Sequence, residues 1–133
     1  MEANVTPKLV ALKSAIGEID LNSLVLSFDR ESDALMVHLY GRGQPGISHL
    51  VTDEFMIRFD PNHEKVIGIQ IEHFLSLVVP EHPRLLDALD IAELRGISLE
   101  EVAQIRREVA TNQKRETLDE VIAEFPPFDS AAD

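Results

Sequence analysis

Between Leu24 and Phe74, apolar and polar positions alternate in four short stretches, and a period of two predicts β-strands. Leu24, Leu26 and Phe28 make the first apolar row, and Leu35, Val37 and Leu39 the second. Phe55, Ile57 and Phe59 make the third, and Ile67, Ile69 and Ile71 the fourth. Pairing Phe28 with Leu35 sets Leu26 opposite Val37 and Leu24 opposite Leu39. Pairing Phe59 with Ile67 aligns Ile57 with Ile69 and Phe55 with Ile71. Each register gathers its apolar side chains on one face, and a slip of one residue would scatter them. The expected product is a four-stranded antiparallel β-meander over residues 24–75 with one strongly apolar face. Its other face carries Val25, Met36, His38, Tyr40, Met56, Arg58, Gly68, Gln70 and Glu72, a mixture open to a partner or a ligand. Gly41 to His49, with three Gly and one Pro, reads as a loop.

On both sides of the strands the spacing turns helical. Thr6 and Pro7, followed by Leu9, Val10, Leu12 and Ile16, predict a short helix with a Thr cap, ending at Gly17. Pro80 and Pro83 stop the sheet, and residues 81–125 form the helical half. Leu85, Ala88, Leu89, Ile91 and Ala92 share one side of a helix that ends near Gly96. Ser98 with Glu101 makes a capping box for a second helix, whose stripe holds Leu99, Val102, Ile105 and Val109. Thr117 with Glu120 marks the start of a third, through Val121, Ile122 and Phe125, stopped by Pro126 and Pro127. Residues 126–133 read as a tail. The fold class is therefore α+β: a four-stranded meander, an N-terminal helix and two to three C-terminal helices in one domain, 1–133.

At 133 residues and 44% hydrophobic content the chain is long enough to bury a core without staples. It has no Cys, which removes disulfides, thiolate catalysis and thiolate zinc sites and fits a cytoplasmic location. No apolar run approaches the ~18 residues of a membrane span, and no secretory signal pattern is expected. The formal charge of −12 is spread through both halves. Such a surface repels phosphate backbones, so nucleic acid is disfavoured, and it speeds encounter with a basic protein.

Phe28-Asp29, Asp33-Ala34-Leu35, Ile57-Arg58-Phe59-Asp60 and Val66-Ile67-Gly68-Ile69 resemble the small bacterial domain-of-unknown-function family 2283 over roughly residues 26–75. The resemblance implies a β-meander and no particular chemistry. Phe28 and Met36 stand where such proteins usually have Tyr, and Gln70 where they usually have Glu.

Candidate chemistry is sparse. Asp29 and Asp33 flank the first turn, where carboxylates ordinarily bond neighbouring backbone N–H groups, and a structural role is preferred to an acid/base pair. Asp60, Asn62 and Glu64 are spaced like part of a calcium loop, but Lys65 occupies the position of its obligatory Gly and the terminal acid is missing. A hairpin turn is expected. His38, His49, His63, His73 and His82 show no metal-binding spacing, so no metal and no cofactor are expected. Arg58, Gln70 and Glu72 share the mixed face with His38 and are the candidate binding residues. A ligand carboxylate could dock on Arg58 with Gly68 leaving room, or Arg58 could pair with Glu72 or another acid. Arg106, inside an apolar helix stripe, either snorkels or pairs across a helix interface. Phe125 to Phe128 either presents a recognition segment or marks the helix stop.

Excess apolar surface on the second sheet face and the helix stripes points to a homodimer. The preferred function class is a non-enzymatic interaction module that binds itself and a basic protein, in an antitoxin-like manner. The alternative is a small-ligand-binding or hydrolytic protein using Asp29, Asp33, Arg58 or Glu72.

Overall fold

The computed structural model describes residues 10, 12–14, 16–62 and 65–126, and the chain divides into two compact units between Leu99 and Glu100. The first unit is α+β. Its six strands are β1 (Val25–Asp29), β2 (Ala34–His38), β3 (Ile47–Leu50), β4 (Phe55–Phe59), β5 (Val66–Ile71) and β6 (Glu93–Arg95). They form one mixed sheet in the order β3-β4-β5-β2-β1-β6. Every neighbouring pair is antiparallel except β1 and β6, which run parallel.

Matched apolar rows set the local registers. Leu26 pairs with Val37 and Phe28 with Leu35, while Ile57 pairs with Ile69 and Phe55 with Ile71. Leu35 also pairs with Ile71 and Val37 with Ile69, so the rows run unbroken from β1 through β2 and β5 to β4.

The expected four-stranded meander is corrected in three respects. β2 pairs with β5 and not with β4, because the glycine-rich segment carries the chain past that place and lays down β3 first. Residues 47–49, expected in a loop, belong with Leu50 to the edge strand β3. Its four residues are all exposed, so burial left no alternation to read. β6 lies within the segment expected to be one helix from Leu85 to Gly96. A 3-10 helix, Pro83–Asp90, stops short, and Glu93–Arg95 extends beside β1 before Gly96 turns away at φ +77°. A bulge between Arg58 and Phe59 also pairs Phe59 with Val66 in place of Ile67.

On the apolar side, Phe28, Leu35 and Ile71 are buried, as are Phe74, Val78, Val79, Leu86 and Leu89 from the short helical turns after β5. These turns are a π turn, Phe74–Val78, and an α turn, Val79–Glu81, followed by the 3-10 segment. The rings of Phe28 and Phe74 meet with centroids 5.7 Å apart at 57°. Each such side chain contributes about 1.5–3 kcal/mol through burial. Further along the sheet Leu39, Ile57 and Val66 form a second cluster, against which Leu12, Ile19, Leu24 and Phe59 pack. Leu12 belongs to the expected N-terminal helix, whose described residues 12–14 and 16–18 are helical. Its expected Thr6-Pro7 start lies outside the described residues.

The second unit is built on one helix, Leu99–Ala123. Glu100 and Glu101 occupy its first turn, where they complement the helix dipole. Two helices were expected here, with a new start at Thr117. No Gly or Pro interrupts residues 98–125, so Thr117 and Glu120 lie within a continuous helix. Among the described residues no helix is long and apolar enough to cross a membrane.

Candidate functional site

Register places the mixed face of the sheet in rows. One runs Glu93, Ser27, Met36, Gln70, Met56, Leu50 across all six strands. The next runs Val25, His38, Gly68, Arg58, Ser48. A third begins Arg95, Asp29, Ala34 at the β6 edge. All but Ala34 and Gly68 are half-buried or exposed, whereas on the opposite face Phe28, Leu35, Ile57 and Ile71 are buried and Leu26, Val37, Phe55 and Ile69 half-buried.

A shallow basin of about 480 Å³ opens on this face, floored by Ser27, Met36 and Ala34. Two polar pairs bound it. Arg42, in the loop after β2, reaches across β1 to form an ion pair with Glu93 on β6. On the other side Gln70 Nε2 donates to the carboxylate of Glu72, and Gln70 Oε1 accepts from Ser48 Oγ at 3.3 Å. Asp29 on the rim accepts from Ser32 Oγ at 2.9 Å, and Arg95 completes the wall.

Gln70 and Glu72 therefore lie in the basin, while His38 and Arg58 stand in the adjoining row. Ser27 Oγ lies 3.3 Å from His38 Nε2. Partial burial lowers the His38 pKa below its ordinary value of 6.5, and the positive charges of Arg58 and Arg42 lower it further. His38 is accordingly neutral at pH 7. Among the described residues no acid forms an ion pair with Arg58.

Gly68 sits opposite Arg58 as the alternation predicts, yet it leaves no room for a ligand. A Cβ there would lie 2.5 Å from the Val37 carbonyl oxygen, so the space that the missing side chain provides is filled by the backbone of β2.

The turn carboxylates have separate tasks. Asp60 Oδ1 accepts from the backbone N–H of Asn62 at 2.7 Å, an Asx turn at the β4 end. Asp33 reaches residues far along the chain: Leu75 N–H donates to its carboxylate at 2.7 Å, and Ser76 donates through N–H at 3.1 Å and Oγ at 2.8 Å. His49 stacks edge-on against Phe59 with centroids 5.0 Å apart. His73 and His82 are exposed, and His63 and Glu64 lie outside the described residues. Among the described residues no group of three His, Asp or Glu could hold a metal ion. Arg106 is half-buried on the long helix of the second unit, Phe125 and Pro126 at the start of the proline-aromatic segment are exposed, and residues 127–133 lie outside the described residues.

The charged basin residues that alternation did not reveal are Arg42, Glu93 and Arg95. Arg42 follows a glycine in a segment with no period, and the other two lie where apolar spacing read as helical. No family model, curated protein or solved structure matches this chain.

Proposed function

We propose that this chain is a non-enzymatic protein-interaction module, acting as a homodimer and presenting the mixed face of its sheet to a basic protein segment, in an antitoxin-like manner. The observation that carries this reading is the basin itself. Asp29, Glu72 and Glu93 stand around a broad shallow floor, and each is exposed or half-buried and held in place by a neighbouring side chain. Carboxylates positioned in this way suit an incoming Lys or Arg, because part of the entropic cost of ordering them is already met. The net charge of −12 adds long-range attraction for the same partner. The likeness of residues 26–75 to family 2283 belongs to this reading and lends it no chemistry.

A defined probe tests it. A short Lys- and Arg-rich peptide titrated into isotope-labelled protein at low salt should shift the backbone amides of Ser27, Met36, Gln70 and Glu72. The shifts should fade as salt rises. Amides that do not move at millimolar peptide refute the basic-partner reading, and a monomer by light scattering refutes the homodimer.

The basin volume also suits a second reading, a small polar ligand held between Arg95 and Glu72, since small-molecule sites fall in the range of about 300–1,000 Å³. Ligand screening by the same amide shifts separates the two, because a peptide would extend its effects along the row to Met56 and Leu50.

A further inference from the structure

We infer that two copies of this chain pair through the distal half of the long helix, from Ala110 to Ala123 and on to Phe125 just past its end, with the two helices antiparallel. This rests on the homodimer reading above and names its seam.

The helix carries two apolar stripes that do not coincide. At about 100° per residue, Val102, Ile105 and Val109 lie on one side. Leu118, Val121, Ile122 and Phe125 lie about 180° round from them. One surface therefore cannot serve both. The distal four are 57%, 48%, 58% and 58% exposed. Leu118, Val121 and Ile122 stand at i, i+3 and i+4, the spacing of a helix–helix seam, and Phe125 carries the pattern to i+7 in the turn that follows the helix, where its N–H donates to the Ile122 carbonyl at 3.2 Å.

Beside this stripe runs a groove lined by Ala110, Gln113, Lys114, Thr117, Leu118 and Val121. Lys114, Thr117, Leu118 and Val121 stand at i, i+3, i+4 and i+7, the four corners of the hole that receives one knob in coiled-coil packing. The small side chains of Ala110 and Thr117 keep it open. A Leu118 or Val121 from a second helix has the shape to fill it.

Charge commits the occupant and its direction. Lys114 and Arg115 precede the apolar stripe, Asp119 and Glu124 flank it, and Glu116 and Glu120 turn to the far side of the helix. The last turn of the helix holds no basic residue, so Glu120 and Glu124 stand at the negative end of the helix dipole with no cation in that turn. An antiparallel copy brings Lys114 and Arg115 beside the flanking acids, twice over by symmetry. A parallel copy stacks acid on acid. The same surface is thus complementary to itself in one orientation, as a twofold interface requires.

The absence of Cys makes the test clean. Light scattering on the intact chain at tens of micromolar should give a dimer. The double variant Leu118→Glu with Ile122→Glu, changed only at exposed positions, should keep its helical circular dichroism and raise the dissociation constant at least about 100-fold. Mixing Lys114→Cys with Phe125→Cys variants under mild oxidation should yield the mixed disulfide, with little of either symmetric one. A monomeric parent overturns both the homodimer reading and this seam. A dimer that survives the double Glu variant overturns the seam and leaves the homodimer standing. Symmetric disulfides, or no disulfide, overturn the antiparallel arrangement.

Discussion

The carboxylate of Asp33, in the turn between β1 and β2, caps the π turn that begins at Phe74. It accepts from Leu75 N–H at 2.7 Å and from both donors of Ser76, while the Asp33 carbonyl accepts from Phe74 N–H at 2.9 Å. Asp33 holds φ at +54°, a conformation Asp tolerates better than most residues, and this points its side chain away from its own turn. One residue thus ties the first hairpin to the segment that brings Phe74 onto Phe28.

Asp33→Ala should therefore cost about 2–3 kcal/mol, the amount expected when several hydrogen bonds to a charged acceptor at a helix start are lost together. Ser76→Ala removes one donor of the three and should cost no more than about 1 kcal/mol. Urea midpoints with unchanged slopes would measure both. Equal losses for the two variants would mean that the backbone contact of Asp33, and not its side chain, ties the segments.

Gly68 and Gly17 give opposite expectations for the same substitution. At Gly68 an added methyl would lie 2.5 Å from the Val37 carbonyl, a rigid backbone atom in the middle of the sheet. Gly68→Ala should destabilise by about 2–3 kcal/mol through forced separation of β2 and β5. At Gly17, in a helical stretch, nothing lies within 4 Å of the added methyl. Gly17→Ala should be neutral or stabilising by up to about 1 kcal/mol, since it restricts the unfolded chain. Thermal melts of the two variants side by side decide the matter.

His38 predicts a pH dependence. Its folded pKa lies below the ordinary 6.5, so the unfolded chain binds the proton more readily than the folded one. Its contribution to stability is whole above pH 6.5 and declines as the pH falls from there toward the folded pKa. Ser27 on β1, Arg58 on β4 and Arg42 in the loop are the groups that bear on the ring. His38→Gln should lose less stability than the parent between pH 7.5 and 5.5, measured as the shift in urea midpoint. Parallel pH profiles for the two would reject this assignment.

What could be read in advance follows from where burial leaves a period. Phe28 against Leu35 and Ile57 against Ile69 were legible because one face of each strand carries only apolar residues, buried or half-buried, and the other is mixed. β3 was not, since an edge strand with all four residues exposed bears no alternation. Strand order was equally hidden: β4 and β5 offer similar apolar rows to β2, and only the path of residues 41–54 decides between them. β6 is three residues long and relies on β1 for its pairing, so it left no signature in its own sequence. The same limits shaped the site. His38, Arg58, Gln70 and Glu72 were assigned to one face by alternation alone, whereas Arg42, Glu93 and Arg95 come to the basin through a loop and that short edge.

The Arg42–Glu93 ion pair separates the stability of the basin from its use. Both side chains are more than half exposed, 51% and 60%, so the attraction between them is largely offset by solvation and side-chain entropy. Arg42→Ala and Glu93→Ala should each change stability by no more than about 0.5 kcal/mol. Their effects on a basic peptide should oppose each other. Glu93→Ala removes a carboxylate from the wall and should weaken binding by about 3-fold, the scale of one partly exposed charge contact. Arg42→Ala removes a competing cation and releases Glu93, and should strengthen binding by a similar factor. Both changes should shrink toward nothing at about 0.5 M salt, where the screening length falls to a few ångströms. Calorimetric titration of parent and variants at two salt concentrations would show it. Two variants that weaken binding alike would mean that the bridge acts as a rigid wall of the basin and that its charges do not select the ligand.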